Sequence, residues 1–242
     1  MPDAERSAGA VLPEPHHRDV RGGAARAAVF GVSDGLVSNV GLILGVAGAS
    51  PGPGVVRLAG FAGLVAGAIS MAAGEYNSMR VQAELLEREL DLERIELRRN
   101  PHFETAELSQ IYEARGIEPD LARELAAGVM RDPEVALETH AREELGIDPS
   151  ELGSPISAAL SSFLAFSVGA FVPLVPWFGG SGTAAVVASL VMALVAAAVV
   201  GAAIARFAER SVWFTVTRQL LFTLVPAGIT FLIGNLVGVG VG

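Results

Sequence analysis

The chain has no cysteine and no lysine. Without thiols it can build neither a disulfide framework nor a thiolate metal site, so any bound metal must sit on oxygen, imidazole or thioether ligands. All 17 basic residues are arginine, which we read as compositional bias rather than mechanism. Positive charge is also outnumbered, 17 against 26 acidic residues for a net charge of −9. That balance argues against nucleic acid as a partner, because phosphate binding needs a basic face. The first twenty residues lack the apolar core of a signal peptide and carry Pro13, Pro15, His16 and His17; they read as the greater part of a disordered tail over residues 1–25.

What the chain has in excess is apolar sequence. It is 51% hydrophobic with a mean hydropathy of +0.48, too apolar for an ordinary soluble domain. A spanning helix needs about 20 largely apolar residues, and five stretches qualify: 27–49, 55–76, 156–178, 184–207 and 212–239. Pro51, Gly52, Pro53 and Gly54 make a short turn between the first two. The expected fold is therefore all-α, a polytopic membrane protein with five transmembrane helices. Its segments are 26–80 with the first two spans, an insert over 81–152, and 153–242 with the last three. Arg18, Arg21 and Arg26, the insert's arginines, and Arg206, Arg210 and Arg218 fall on one side. The positive-inside rule predicts a cytoplasmic N-terminus and insert, with the C-terminus outside.

The insert holds the charge imbalance, with 19 Asp and Glu against nine Arg between Arg80 and Leu152. Its first helix, Val81 to Arg99, continues the second span without a breaker and ends at Asn100-Pro101. Further helices are expected over Glu104 to Arg115, stopped by Gly116, over Asp120 to Met130, and from Pro133 to Leu145, stopped by Gly146. Glu93 and Glu96 share a helix face at i,i+3, as do Glu104 and Glu107, while His140 and Glu144 are spaced i,i+4. Carboxylate pairs on adjacent helices joined by a histidine suit Fe or Mn. Acidic solvated faces have the same spacing.

Ionisable groups within spans are costly and are functional candidates by default. Asp34 lies in the first span with Ser38 and Asn39 about one turn deeper, and Glu75 lies in the second. Met71 is four residues before Glu75, on the same face, and a thioether beside a carboxylate suits a borderline transition metal. The candidate membrane path is Asp34, Asn39, Met71 and Glu75. Glycines at 41, 45, 60, 63 and 67 allow close helix approach, in a bundle or at a dimer seam. Pro173, Pro176 and Pro226 either free carbonyls to line a path or simply kink their helices.

The runs Asp34-Gly35-Leu36-Val37-Ser38, Gly67-Ala68-Ile69-Ser70-Met71-Ala72-Ala73-Gly74-Glu75-Tyr76, Arg88-Glu89-Leu90, Gly116-Ile117 and Pro173-Leu174-Val175-Pro176 resemble the vacuolar iron transporter family, in a bacterial-type member. The similarity runs in order from Arg26 to the C-terminus. It implies a five-span homodimer in the cell's inner membrane with a cytoplasmic three-helix metal-binding domain. The implied activity is export of Fe2+, in some members Mn2+, from the cytosol by proton antiport. The chain is then no enzyme, has no permanently bound cofactor, and has metal ions, protons, lipid and a second copy as partners. Asp34 and Met71 match the acid and thioether of the family's membrane path; Glu93, Glu96, Glu104, Glu107 and Glu144 match the glutamates of its metal domain. Two positions depart from the pattern. Gly63 stands where plant members carry a glutamate, with Glu75 as a partial substitute, and His140 and Ala141 stand in place of methionines, a harder ligand set that leans toward Mn2+. The competing readings are a membrane-anchored di-iron ferroxidase and a metal-gated sensor.

Overall fold

The computed structural model describes residues 23–50, 52–146, 148 and 153–239. The tail expected over residues 1–25 falls outside the described residues as far as residue 22. Eight α-helices follow in order: α1 (Gly23–Gly48), α2 (Pro53–Arg99), α3 (Pro101–Ala114), α4 (Pro119–Val129), α5 (Pro133–Glu143), α6 (Pro155–Phe171), α7 (Gly182–Phe207) and α8 (Val212–Val239). A 3-10 segment, Val172–Phe178, extends α6. Five of these helical stretches are long and apolar enough to cross a membrane, those of α1, α2, α6 with its extension, α7 and α8.

Proline begins many of the helices. Pro53, Pro101, Pro119, Pro133 and Pro155 each occupy the first turn, where a missing N–H costs nothing. Side chains cap three of those starts. Glu118 accepts from the amides of Asp120 and Leu121, Asp132 from those of Glu134 and Val135, and Ser154 from that of Ser157. The second insert helix begins at Pro101 rather than Glu104, because the residue that ends α2 also sits at N1 of α3. Gly116 at φ +91° and Gly146 at φ +66° take the left-handed turns after α3 and α5.

Helix α2 has 47 residues, on the order of 70 Å at about 1.5 Å per residue. The hydrocarbon core of a bilayer is only about 30 Å thick. Its apolar part ends near Tyr76, so the helix is longer than a span requires, and the remainder carries the insert. There Leu90 of α2 packs with Leu137 and Ala141 of α5.

Helix α1 is the centre of the membrane bundle, with its most extensive contacts to α6 and α8. Leu36, Val40 and Leu44 bury against Ala193 and Ala197 of α7 and Ala227 of α8. A Cβ on Gly35 would meet the carbonyl of Phe166, and one on Gly169 would meet that of Val32, so α1 and α6 cross backbone to backbone. The Pro173 carbonyl accepts from Ser189 Oγ at 2.7 Å, and that oxygen accepts in turn from Trp177 Nε1 at 2.9 Å. This carbonyl therefore ties the 3-10 segment to α7 and does not line a path. Thr230 Oγ1 of α8 reaches the Gly41 carbonyl at 2.7 Å, and Gln219 bonds Ser33. Interhelical hydrogen bonds of this kind satisfy polar groups where lipid offers no partner.

Candidate metal centre and membrane pocket

Two polar constellations stand out, one in the spans and one in the insert. The first is a pocket of about 320 Å³ between α1 and α2, with Phe166 of α6 at its back. It is lined by Asp34, Ser38 and Asn39 on α1 and by Gly63, Gly67, Ser70 and Met71 on α2. Asp34 and Met71 thus share one cavity although they are far apart in sequence. Asn39 is 2% exposed, and its Nδ2 donates to the Ala170 carbonyl at 2.6 Å. Glu75 does not line this pocket. It pairs instead with Arg26, one helix over, at 3.0 Å.

The second constellation joins three elements of the insert. Glu93 comes from the end of α2, Glu104 from the first turn of α3, His140 from α5, and Glu144 from the cap of α5. Each offers a ligand atom, and the four atoms lie within 4.8 Å of one another. His140 Nδ1 stands 3.2 Å from Glu93 Oε1, 3.6 Å from Glu144 Oε2 and 3.9 Å from Glu104 Oε2. Glu93, Glu104 and His140 are buried. Yet Glu93 Oε1 and both ring nitrogens of His140 have no hydrogen-bond partner among the described residues. Donor atoms gathered within 4.8 Å of one another form a group that could hold a metal ion.

Electrostatics agree with that geometry. Burial first, and then the carboxylates of Glu144, Glu104, Glu96 and Glu107, push the Glu93 carboxyl up to about 7. The Glu104 carboxyl is raised as well, by burial first and then by Glu107, Glu96 and Glu144. Crowded buried carboxylates cannot all ionise without a counter-charge, and a divalent cation supplies one. Three carboxylates and one imidazole suit a first-row divalent ion.

From the i,i+3 pairs, the structure brings Glu93 and Glu104 into the cluster. It leaves Glu96 and Glu107 beside it, close enough to act on their neighbours' charge. Sequence reasoning missed Phe166 as the pocket's wall, because nothing along the chain relates α6 to α1. It also missed the Arg26–Glu75 pair, for which opposite charges at equivalent depths in adjacent spans were an available signal.

A bundle of apolar helices of spanning length, a carboxylate–thioether pocket within it, and a carboxylate–imidazole cluster that could hold a metal ion define a multi-pass membrane protein with a candidate metal centre. The comparisons narrow that class. The VIT family model matches residues 25–235, and the chain belongs to the VIT family. It is 40% identical over 149 residues to a vacuolar iron transporter of Acanthamoeba castellanii, covering 62% of this chain and 53% of that protein. With vacuolar iron transporter 1 of Oryza sativa subsp. japonica it shares 35% over 165 residues, 68% of this chain and 65% of the other. With vacuolar iron transporter 1 of Eucalyptus grandis it shares 31% over 204 residues, 84% and 82%. These relatives are named as transporters, not enzymes.

Proposed function

We propose that this protein is a divalent transition-metal transporter that moves Fe2+, with Mn2+ as a second cargo, out of the cytosol in exchange for protons. The observation that carries this reading is the pocket shared by Asp34 and Met71 between two spans. A carboxylate inside a membrane helix pair is costly unless it meets a cation, and the thioether beside it suits a transition metal. The name of the relatives, vacuolar iron transporter, supports iron as the cargo.

In this reading the insert faces the cytosol. Glu93, Glu104, His140 and Glu144 gather the ion, with Glu96 and Glu107 adding negative potential around them. The ion passes to Asp34, which replaces part of its hydration shell, and Met71 contributes a soft contact that favours transition metals over Ca2+ and Mg2+. Asp34 then takes up a proton when the ion leaves. Glu75, one turn from Met71 and paired with Arg26, guards the entrance to the pocket. Because the spanning part of α2 is only 17% buried, a second copy covering that face is part of the proposal. We place this bacterial-type member in the cell's inner membrane, with the N-terminus inside and the C-terminus outside.

A di-iron oxidase built on helices uses two Glu-x-x-His pairs. The cluster here has one histidine, and His102, the insert's other one, is exposed on α3.

The test is entry of Fe2+ and Mn2+ into liposomes holding the purified protein, with and without an imposed pH gradient. Gradient-dependent entry that disappears in Asp34→Ala is expected. Gradient-independent entry would replace antiport by facilitated diffusion, and no entry of either ion would overturn transport.

A further inference from the structure

We propose that the side-chain oxygen of Asn39 is a ligand of the transported cation, reached when the end of Leu42 moves off the bare backbone at Gly63; this rests on the transport reading above. Asn39 is buried, and its amide has two different ends to satisfy. Nδ2 donates to the Ala170 carbonyl of α6 at 2.6 Å. That bond fixes the orientation of the amide, since the flipped form would set an acceptor against an acceptor. Oδ1 must then face the other way, toward α2.

On that side Oδ1 accepts nothing. It is fully enclosed and has no hydrogen-bond partner among the described residues. A Cβ on Gly63 would stand 2.8 Å from it and would meet the end of Leu42 closer still, so the oxygen faces α2 where Gly63 brings no side chain of its own and the tip of Leu42 fills the gap. Both residues line the cavity that holds Asp34, Ser38, Ser70 and Met71. A purely structural asparagine would explain the tie to Ala170. It would not explain a second polar atom aimed, unpartnered, into a pocket already furnished with a carboxylate and a thioether. Buried acceptors are nearly always matched, and the match available in this pocket is a cation.

A neutral oxygen beside a single carboxylate has two consequences. The occupied site keeps a net positive charge, so the ion is held less firmly than between two carboxylates and can leave. The amide oxygen is also a hard ligand, whereas the Met71 sulfur is a soft one. Asn39 and Met71 therefore pull selectivity in opposite directions.

The experiment measures Mn2+ and Cd2+ entry in the same liposome preparation for the wild type, Asn39→Leu, Gly63→Ala and Met71→Leu. Leucine keeps the branching of asparagine, adds some bulk, and removes both the oxygen and the tie to Ala170, whose donor the Gly63 variant retains. Alanine at 63 keeps the asparagine but covers its oxygen, crowding Oδ1 and pushing aside the end of Leu42, which is 39% exposed. Removing or covering the hard ligand should lower the Mn2+ to Cd2+ ratio by about tenfold in both variants. Met71→Leu should raise it. The ratio does not depend on how much protein folds, so partial misfolding cannot mimic the effect. If the wild type carries both ions and neither variant at 39 or 63 moves the ratio, Asn39 is structural and the assignment is overturned. A wild type that admits neither Fe2+ nor Mn2+ in the same liposomes would instead overturn the transport reading, and this inference with it.

Discussion

His140 Nδ1 lies 3.2 Å from Glu93 Oε1, both groups are buried, and no hydrogen bond joins them. Two such atoms held close in an apolar setting without bonding destabilise the insert unless something stands between them. The cost falls on the metal-free protein, and it makes the cluster's behaviour readable in solution.

The first expectation concerns pH. The Glu93 carboxyl titrates at about 7 in the folded insert against 4.5 for the ordinary group. A raised acid favours the folded state while protonated. Its stabilising contribution is therefore fully present below 4.5 and is lost as the pH rises through about 7. Metal binding must displace that proton, so Mn2+ affinity should increase as pH rises through the same region. Calorimetric titration of the detergent-purified protein at several pH values checks this; a flat profile would remove Glu93 from the ligand set.

Neutralising one cluster member should separate stability from binding. Glu93→Gln relieves the carboxylate crowding, so the metal-free insert should gain about 1 kcal/mol. The same change should weaken Mn2+ binding by about 10- to 100-fold. Thermal unfolding with chelator and with Mn2+ reads both effects, which must have opposite signs. Loss of stability in both conditions would mean that Glu93 is merely a packed, satisfied side chain.

Asp34 and Glu75 should not be equivalent. Glu75 is held by Arg26, whose side chain is 57% exposed, and pairs of this kind contribute about 0–1 kcal/mol. Glu75→Gln should reduce metal entry into liposomes no more than a few-fold. Asp34→Asn should reduce it by about 100-fold or more, since it removes the only carboxylate lining the pocket. Equal losses would put Glu75 in the path itself.

The crossing of α1 and α6 allows no side chain. Gly35→Ala or Gly169→Ala drives a methyl group into a backbone carbonyl of the facing helix, a strain of about 1–3 kcal/mol. Both variants should lower the thermal unfolding midpoint in detergent while leaving Mn2+ binding at the insert intact. Gly52→Ala, with open space around it, is the control.

Much of this architecture follows from local chemistry. Apolar runs of spanning length mark the five helices long and apolar enough to cross a membrane, four of them to within a few residues, while the second runs on unbroken into the insert. The prolines at 53, 101, 119, 133 and 155 start helices because an N–H is expendable there. Gly116 and Gly146 end them because a left-handed turn excludes most side chains. The acidic character of the insert, and the placement of Asp34, Met71 and Glu75 within spans, are equally legible along the chain. Periodicity also limits the metal ligands to a few pairs, but it cannot choose between Glu93 and Glu96 or between Glu104 and Glu107, since both members of each pair share a helix face. That choice belongs to the angles at which α2, α3 and α5 meet, which bring two of those four carboxylates to His140 and Glu144. The same holds in the membrane. Asn39, Gly63 and Ala170 carry no mutual signal in the sequence, and only the close crossing of α1 with α6 and α2 sets one end of the amide on a carbonyl and the other on the pocket.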